Sequence, residues 1–142
     1  MRRLAAALML TSLPVVAMAA TSDLTSRSGK WVRLFKPEVE MLVGRSVSVD
    51  AAGIRTVGTA RTFRELDVLV KDKGTLPRGT MQFMRRSVNC AAGTTRVEEW
   101  RLLARNGAVL GGSTTAGAVQ RVRWDKEDGV VMRYVCSGVL PR

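Results

Sequence analysis

Two cysteines, Cys90 and Cys136, 12 carboxylates, 23 lysines and arginines and no histidine set the chemistry open to this 142-residue chain. The missing histidine removes the commonest general base and the commonest transition-metal ligand. Two cysteines alone do not make an ordinary structural zinc site. Standing 46 positions apart, they are not the CxxC pair of a thiol oxidoreductase either. Ser87, Ser113 and Ser137 lie in no Ser-x-x-Lys or Gly-x-Ser-x-Gly element that would position a nucleophile. Asp50, Glu65, Asp67, Glu98, Glu99 and Asp125 can in principle supply a carboxylate pair for glycoside cleavage. Carboxylates at strand edges and helix caps are, however, ordinarily solvated surface groups. The glycine-rich run from Val109 to Gly117 has no phosphate-cradling spacing. These residues predict a non-catalytic protein with no metal site and no cofactor.

Charge points elsewhere. The formal net charge is +11, and Arg78, Arg85, Arg86, Arg96, Arg101, Arg105, Arg121, Arg123 and Arg133 crowd into the second half. Alternation on a strand puts Arg121 and Arg123 on one face, where they can align with arginines of a neighbouring strand. Arg85, Arg86, Arg101, Arg121 and Arg123 are therefore the candidate contacts for an anionic partner. Lipopolysaccharide phosphates, peptidoglycan carboxylates and acidic glycans have the required chemistry. The bland alternative is that arginine abundance reflects composition and solubility alone. Nucleic acid is not expected, because only 5% of the residues are aromatic and few rings can stack on bases.

The compartment follows from the front of the chain. Arg2 and Arg3 precede an apolar run from Leu4 to Val16, and Ala17-Met18-Ala19 offers small residues where a signal peptidase cuts. Thirteen helical residues rise about 20 Å, short of the roughly 30 Å hydrocarbon core. Residues 1–19 therefore read as a cleavable secretory signal, 20–30 as a flexible polar leader and 31–142 as a single domain. No cysteine stands near the cleavage point, so a lipoprotein anchor is not expected. A periplasmic address comes first, with secretion or surface association as alternatives. In an oxidising compartment Cys90 and Cys136 are expected to form an intramolecular disulfide, with a reduced buried pair or an intermolecular bridge as the other options.

The elements that must carry these residues are mostly strands. Trp31–Phe35 reads as a first strand ending before Pro37, and Glu38–Val43 is compatible with either a helical turn or a strand edge. Ser46–Asp50 alternates small polar and apolar residues, and Asp50–Gly53 supplies turn chemistry. Thr56–Val70 is a long strand-like stretch whose second half has period two, followed by a Gly/Pro loop at Lys71–Gly79. Thr80–Cys90 and Thr94–Ala104 form a predicted hairpin across Ala91-Ala92-Gly93, although their alternation is imperfect. Val119–Trp124 alternates again. Asp125 or Asp128 then caps a predicted helix whose Val130, Val131, Tyr134 and Val135 share a face and whose end carries Cys136. The fold class is α+β: a single antiparallel sheet of five to six strands, with the C-terminal helix packed on one face and tethered by the cysteines.

The order of landmarks resembles a known family. Trp31 leads, Val49-Asp50 is followed by Ile54, and a long polar-apolar strand comes next. Asn89-Cys90, the late Trp124 and the closing Tyr134-Val135-Cys136 complete the pattern. It is similar to the surface-adhesin protein E-like domain of Gram-negative envelope proteins, across most of the chain from Trp31 to Cys136. That resemblance implies an antiparallel sheet with a disulfide-tethered C-terminal helix, an envelope location, extracellular-matrix protein as a partner, and homodimers. It carries over no specific binding residue. The chain departs from the adhesin in lacking the lipid-attachment cysteine. Together these observations predict a small exported binding or adhesin-like module for a macromolecular partner. The alternative is a structural or assembly accessory of the periplasm with no ligand of its own.

Overall fold

The computed structural model describes residues 24–141, so the expected signal segment and the first residues of the expected leader lie outside the described residues. Eight strands form one antiparallel sheet: β1 (Trp31–Arg33), β2 (Arg45–Asp50), β3 (Arg55–Val57), β4 (Ala60–Leu69), β5 (Met81–Asn89), β6 (Thr94–Leu103), β7 (Val109–Ser113) and β8 (Gln120–Arg121). Their order is β1-β2-β4-β5-β6-β7, with β3 paired to β4 and β8 paired to β6. Among the described residues two α-helices, α1 (Pro37–Val43) and α2 (Glu127–Ser137), accompany the sheet. Neither is long and apolar enough to cross a membrane.

The α+β class and the tethered terminal helix are as the sequence predicts, while the strand count is higher. The long Thr56–Val70 stretch is broken at Gly58, whose φ of 59° turns the chain, so it yields the hairpin β3–β4 instead of one strand. At the other end, only Gln120 and Arg121 of the predicted Val119–Trp124 strand pair with β6. Glu38–Val43 resolves as helix, with Pro37 in its first turn and Gly44 at φ 84° closing it. Neither Asp125 nor Asp128 caps α2; Lys126 holds the cap position without a side-chain bond. Asp128 is instead turned inward to an arginine of β5.

Period-two alternation gives the sheet two buried faces. On one, Val47, Val49, Phe63 and Val88 meet Val131, Met132 and Val135 of α2, with Leu34 and Phe35 closing the side. The Cys90–Cys136 disulfide, Cα to Cα 5.8 Å, ties the last turn of α2 to the end of β5 above this core. By loop-closure entropy it stabilises the fold by about 4 kcal/mol. On the other face Leu66, Met81, Phe83 and Leu103 are covered by Leu24 and by Trp31, whose ring meets Phe83 edge-on at 6.3 Å.

This second core corrects the expectation of a flexible leader. Leu24 is buried, and the exposed residues 27–30 that follow are held by hydrogen bonds to their backbone. Asp50, 3% exposed, accepts the Lys30 backbone N–H at 2.9 Å and the Arg64 guanidinium at 2.7 Å. Arg64 also donates to the Ser26 and Ser28 carbonyls and lies 5.0 Å over the Trp31 ring. Burial pushes the Asp50 carboxyl up, but the Arg64 guanidinium and the Lys30 and Gly53 N–H groups outweigh it and hold the group below its ordinary value. At Gly29 and Gly53, a Cβ would come within 2.6 and 2.5 Å of the same carboxylate, so both glycines let the backbone close around Asp50.

Candidate functional site

The five arginines singled out by sequence do not form one basic face. Arg85 and Arg86 point to opposite sides of β5, as alternation requires. Arg85 is paired with Glu99, Nε to Oε1 2.8 Å. Arg86 is a correction to the expected binding set: its side chain is 11% exposed and sits in the α2-side core region. There it donates to Glu65 at 2.9 Å and to Asp128 at 2.6 Å. Arg101 lies on the Arg85 side and donates to the Trp100 carbonyl. Arg121 and Arg123 are exposed at the far end of the sheet, and Arg121 faces Thr94 across the strands, with no arginine opposite it.

A β-bulge explains why that surface is not basic. Arg85 pairs with Glu99 and Arg86 with Val97, which leaves Glu98 as the extra residue of β6. Two consecutive carboxylates therefore turn to the same side. Glu98 accepts from Ser87 at 2.6 Å and from Arg96 at 2.9 Å, while Glu99 takes Arg85. Burial pushes the Glu98 carboxyl up, but Ser87 and Arg96 more than offset this and hold it low. The imperfect alternation of β6 in the sequence is this bulge.

Cations without carboxylates collect instead where the packed leader crosses the open end of the sheet. A groove of about 920 Å³ is floored by Trp31, Leu66 and Val68, with Ser46 and Ser48 beside them. Its rim carries Arg27, Arg33, Arg78 and Arg105, and no lining residue is Asp or Glu. Arg33 is bound to the buried Glu40 of α1. The other three have no carboxylate partner among the described residues. The Arg27 guanidinium lies 5.7 Å from the centre of the Phe83 ring, which orients it without neutralising it. Arg105 lies against Gly79, where φ is 90° and a Cβ would come within 3.0 Å of the arginine side chain. Arg78 leads into that same turn, its backbone N–H held by Asp72 at 2.7 Å.

Arg78 and Arg105 were visible in the sequence only as members of the arginine-rich half. Arg27 belonged to the expected leader. No spacing rule joins residues 27, 78 and 105, since they come from the leader, the β4–β5 loop and the β6–β7 turn. Among the described residues, no group of three or more His, Cys, Asp or Glu side chains is arranged to hold a metal ion. The disulfide consumes both cysteines. The groove thus sets the guanidinium groups of Arg27, Arg78 and Arg105 over an apolar floor. No family model, no curated protein and no solved structure matches the chain.

Proposed function

We propose that this protein is a small, exported, non-catalytic binding module of the bacterial envelope that holds an anionic macromolecule in the arginine-rimmed groove. One observation carries the reading: Arg27, Arg78 and Arg105 rim a 920 Å³ groove that no carboxylate lines. A guanidinium fork matches phosphate, sulfate or carboxylate oxygens in two-point contacts, and the Trp31–Leu66–Val68 floor suits the apolar face of a sugar ring. The Cys90–Cys136 bond supports an oxidising compartment. The N-terminal signal pattern and the resemblance to the surface-adhesin protein E-like domain add the envelope address. Within that envelope address, the periplasm is the favoured location, with secretion or surface association as the alternatives.

Retention on immobilised heparin or lipopolysaccharide tests the site. Arg78→Gln with Arg105→Gln should elute at clearly lower salt than the parent, because exposed charge contacts are screened and each loss weakens them further. Arg121→Gln with Arg123→Gln, at the far end of the sheet, should change elution much less. Equal shifts for the two pairs would mean that net charge, not the groove, governs retention. Protease accessibility on whole cells separates the addresses. A protected protein is periplasmic and ends the adhesin version.

A further inference from the structure

The polarity of α1 is reversed. Its Glu40 points inward, 2% exposed and bound by Arg33, while Met41 and Leu42 are 56% and 82% exposed. Val39 extends the apolar outer side, and Glu38 in the first turn is the only charge there. Transfer energetics favour the opposite arrangement, with leucine inside and the carboxylate in water. A helix built this way holds aliphatic side chains out at its end, where only a second surface can cover them.

Strand register fixes where that tip stands. Arg45 lies opposite Leu69, Val68 opposite Met81, Met81 opposite Leu103, and Leu103 opposite Val109. Residues 41–44, 70–80 and 104–108 therefore gather at one end of the sheet. Their charged side chains are Lys71, Asp72, Lys73, Arg78 and Arg105, all exposed. None of these cations meets a carboxylate among the described residues. Lys71 Nζ donates to the Met41 carbonyl at 3.1 Å, which sets an ammonium directly beside the apolar tip. Val70, a wall of the arginine groove, donates its N–H to the Gly44 carbonyl at 3.1 Å, so tip and groove adjoin.

Charge and size decide what covers this end. A second copy would set four unpaired cations against four more, which repel. Met41 and Leu42 also offer far less than the roughly 800 Å² per partner of a stable protein interface. An anionic bilayer suits both features. Aliphatic side chains enter the boundary between headgroups and acyl chains, and lysine and arginine meet the phosphates. A small apolar anchor alone holds a membrane only marginally, and a basic patch beside it makes the attachment firm.

We propose that this end of the sheet docks on an anionic phospholipid surface, with Met41 and Leu42 inserted and Lys71, Lys73, Arg78 and Arg105 on the lipid phosphates. This rests on the reading that Arg78 and Arg105 are free to hold anions, and names the surface that presents them. Cosedimentation with vesicles tests it. The parent should bind mixed phosphatidylglycerol–phosphatidylcholine vesicles and not phosphatidylcholine alone. Met41→Gln with Leu42→Gln should weaken that binding about tenfold and leave heparin elution unchanged, since heparin has no acyl chains. Val57→Gln with Val119→Gln removes exposed aliphatics at the opposite end and should bind vesicles as the parent does. Unchanged vesicle binding in the Met41/Leu42 variant, or an equal loss in the Val57/Val119 variant, would overturn the docking face. Self-association that the Met41/Leu42 variant abolishes would assign the tip to a second copy and overturn it too. Arg78- and Arg105-dependent heparin retention without vesicle binding would sink the lipid surface and leave the groove standing.

Discussion

The arginines of the β5–β6 strip and those of the groove are chemically identical, yet they serve different ends. Along the strip, each of Arg85, Arg86 and Arg96 meets a carboxylate within 3.0 Å, so the arginines hold strands and helix together and present little net charge. At the groove, Arg27, Arg78 and Arg105 meet none among the described residues. The difference lies in register: the bulge at Glu98 doubles the acid on one side of β6, and the inward turn of Asp128 supplies the other side. Arginine density is therefore a poor guide to a binding surface unless the acids paired with it are counted in space.

Breaking the strip should cost most. Arg86→Ala leaves Glu65 and Asp128 without their shared partner in a buried setting, an expected loss of about 3–5 kcal/mol. Urea unfolding measures it, and a loss under 1 kcal/mol would show that the cluster is not structural. Removing the staple in Cys90→Ala with Cys136→Ala should cost somewhat less, up to about 4 kcal/mol, because the effect falls mainly on the unfolded chain. Thermal melting of parent and variant under oxidising conditions reads this loss.

Asp67 sharpens the comparison, because its ion pair with Arg45 at 3.0 Å does not hold its carboxyl low against burial and the neighbouring Glu65. Glu65 on its own strand, Arg45 of β2 and Arg86 of β5 are the charged groups that act on it. A carboxyl whose folded value is raised favours the folded state below the unfolded aspartate value of about 4, and loses that advantage as pH rises towards the folded value. Asp67→Asn mimics the protonated form and escapes the loss. Its stability relative to the parent should therefore climb as pH rises from about 4 towards neutrality, whereas a constant difference would refute the raised value. The smallest stability change is expected at the groove. Arg78→Gln and Arg105→Gln touch no carboxylate, so their urea midpoints should match the parent within error while salt-dependent retention falls.

Much of the fold could be read from local pattern. Alternation at Ser46–Asp50 and in the second half of β4 marks strands that bury one face. Val130, Val131, Tyr134 and Val135 mark a helix that needs a sheet to rest on. Residues 58–60 and 119–124 misled for opposite reasons: Gly58 breaks a pattern that looks continuous, and Val122 is buried by contact with the α2 core although it is unpaired in the sheet. The leader misled because its partners lie far along the chain, 20 positions from Lys30 to Asp50 and 38 from Ser26 to Arg64. Arg64 and Asp50 bind its backbone, which no composition reveals.

The candidate sites were legible only as ingredients. Sequence alone determined the absence of histidine, the two cysteines, the excess of arginine and the alternation that makes a sheet, because these are properties of residue type and near neighbours. Which arginines are neutralised, which carboxyl is driven towards its neutral form, and which cations converge on a groove were decided by tertiary structure. The physical reason is range. Ion pairing and burial act between atoms a few ångströms apart, and antiparallel pairing brings Arg27, Arg78 and Arg105 to one rim from positions dozens of residues distant in the chain.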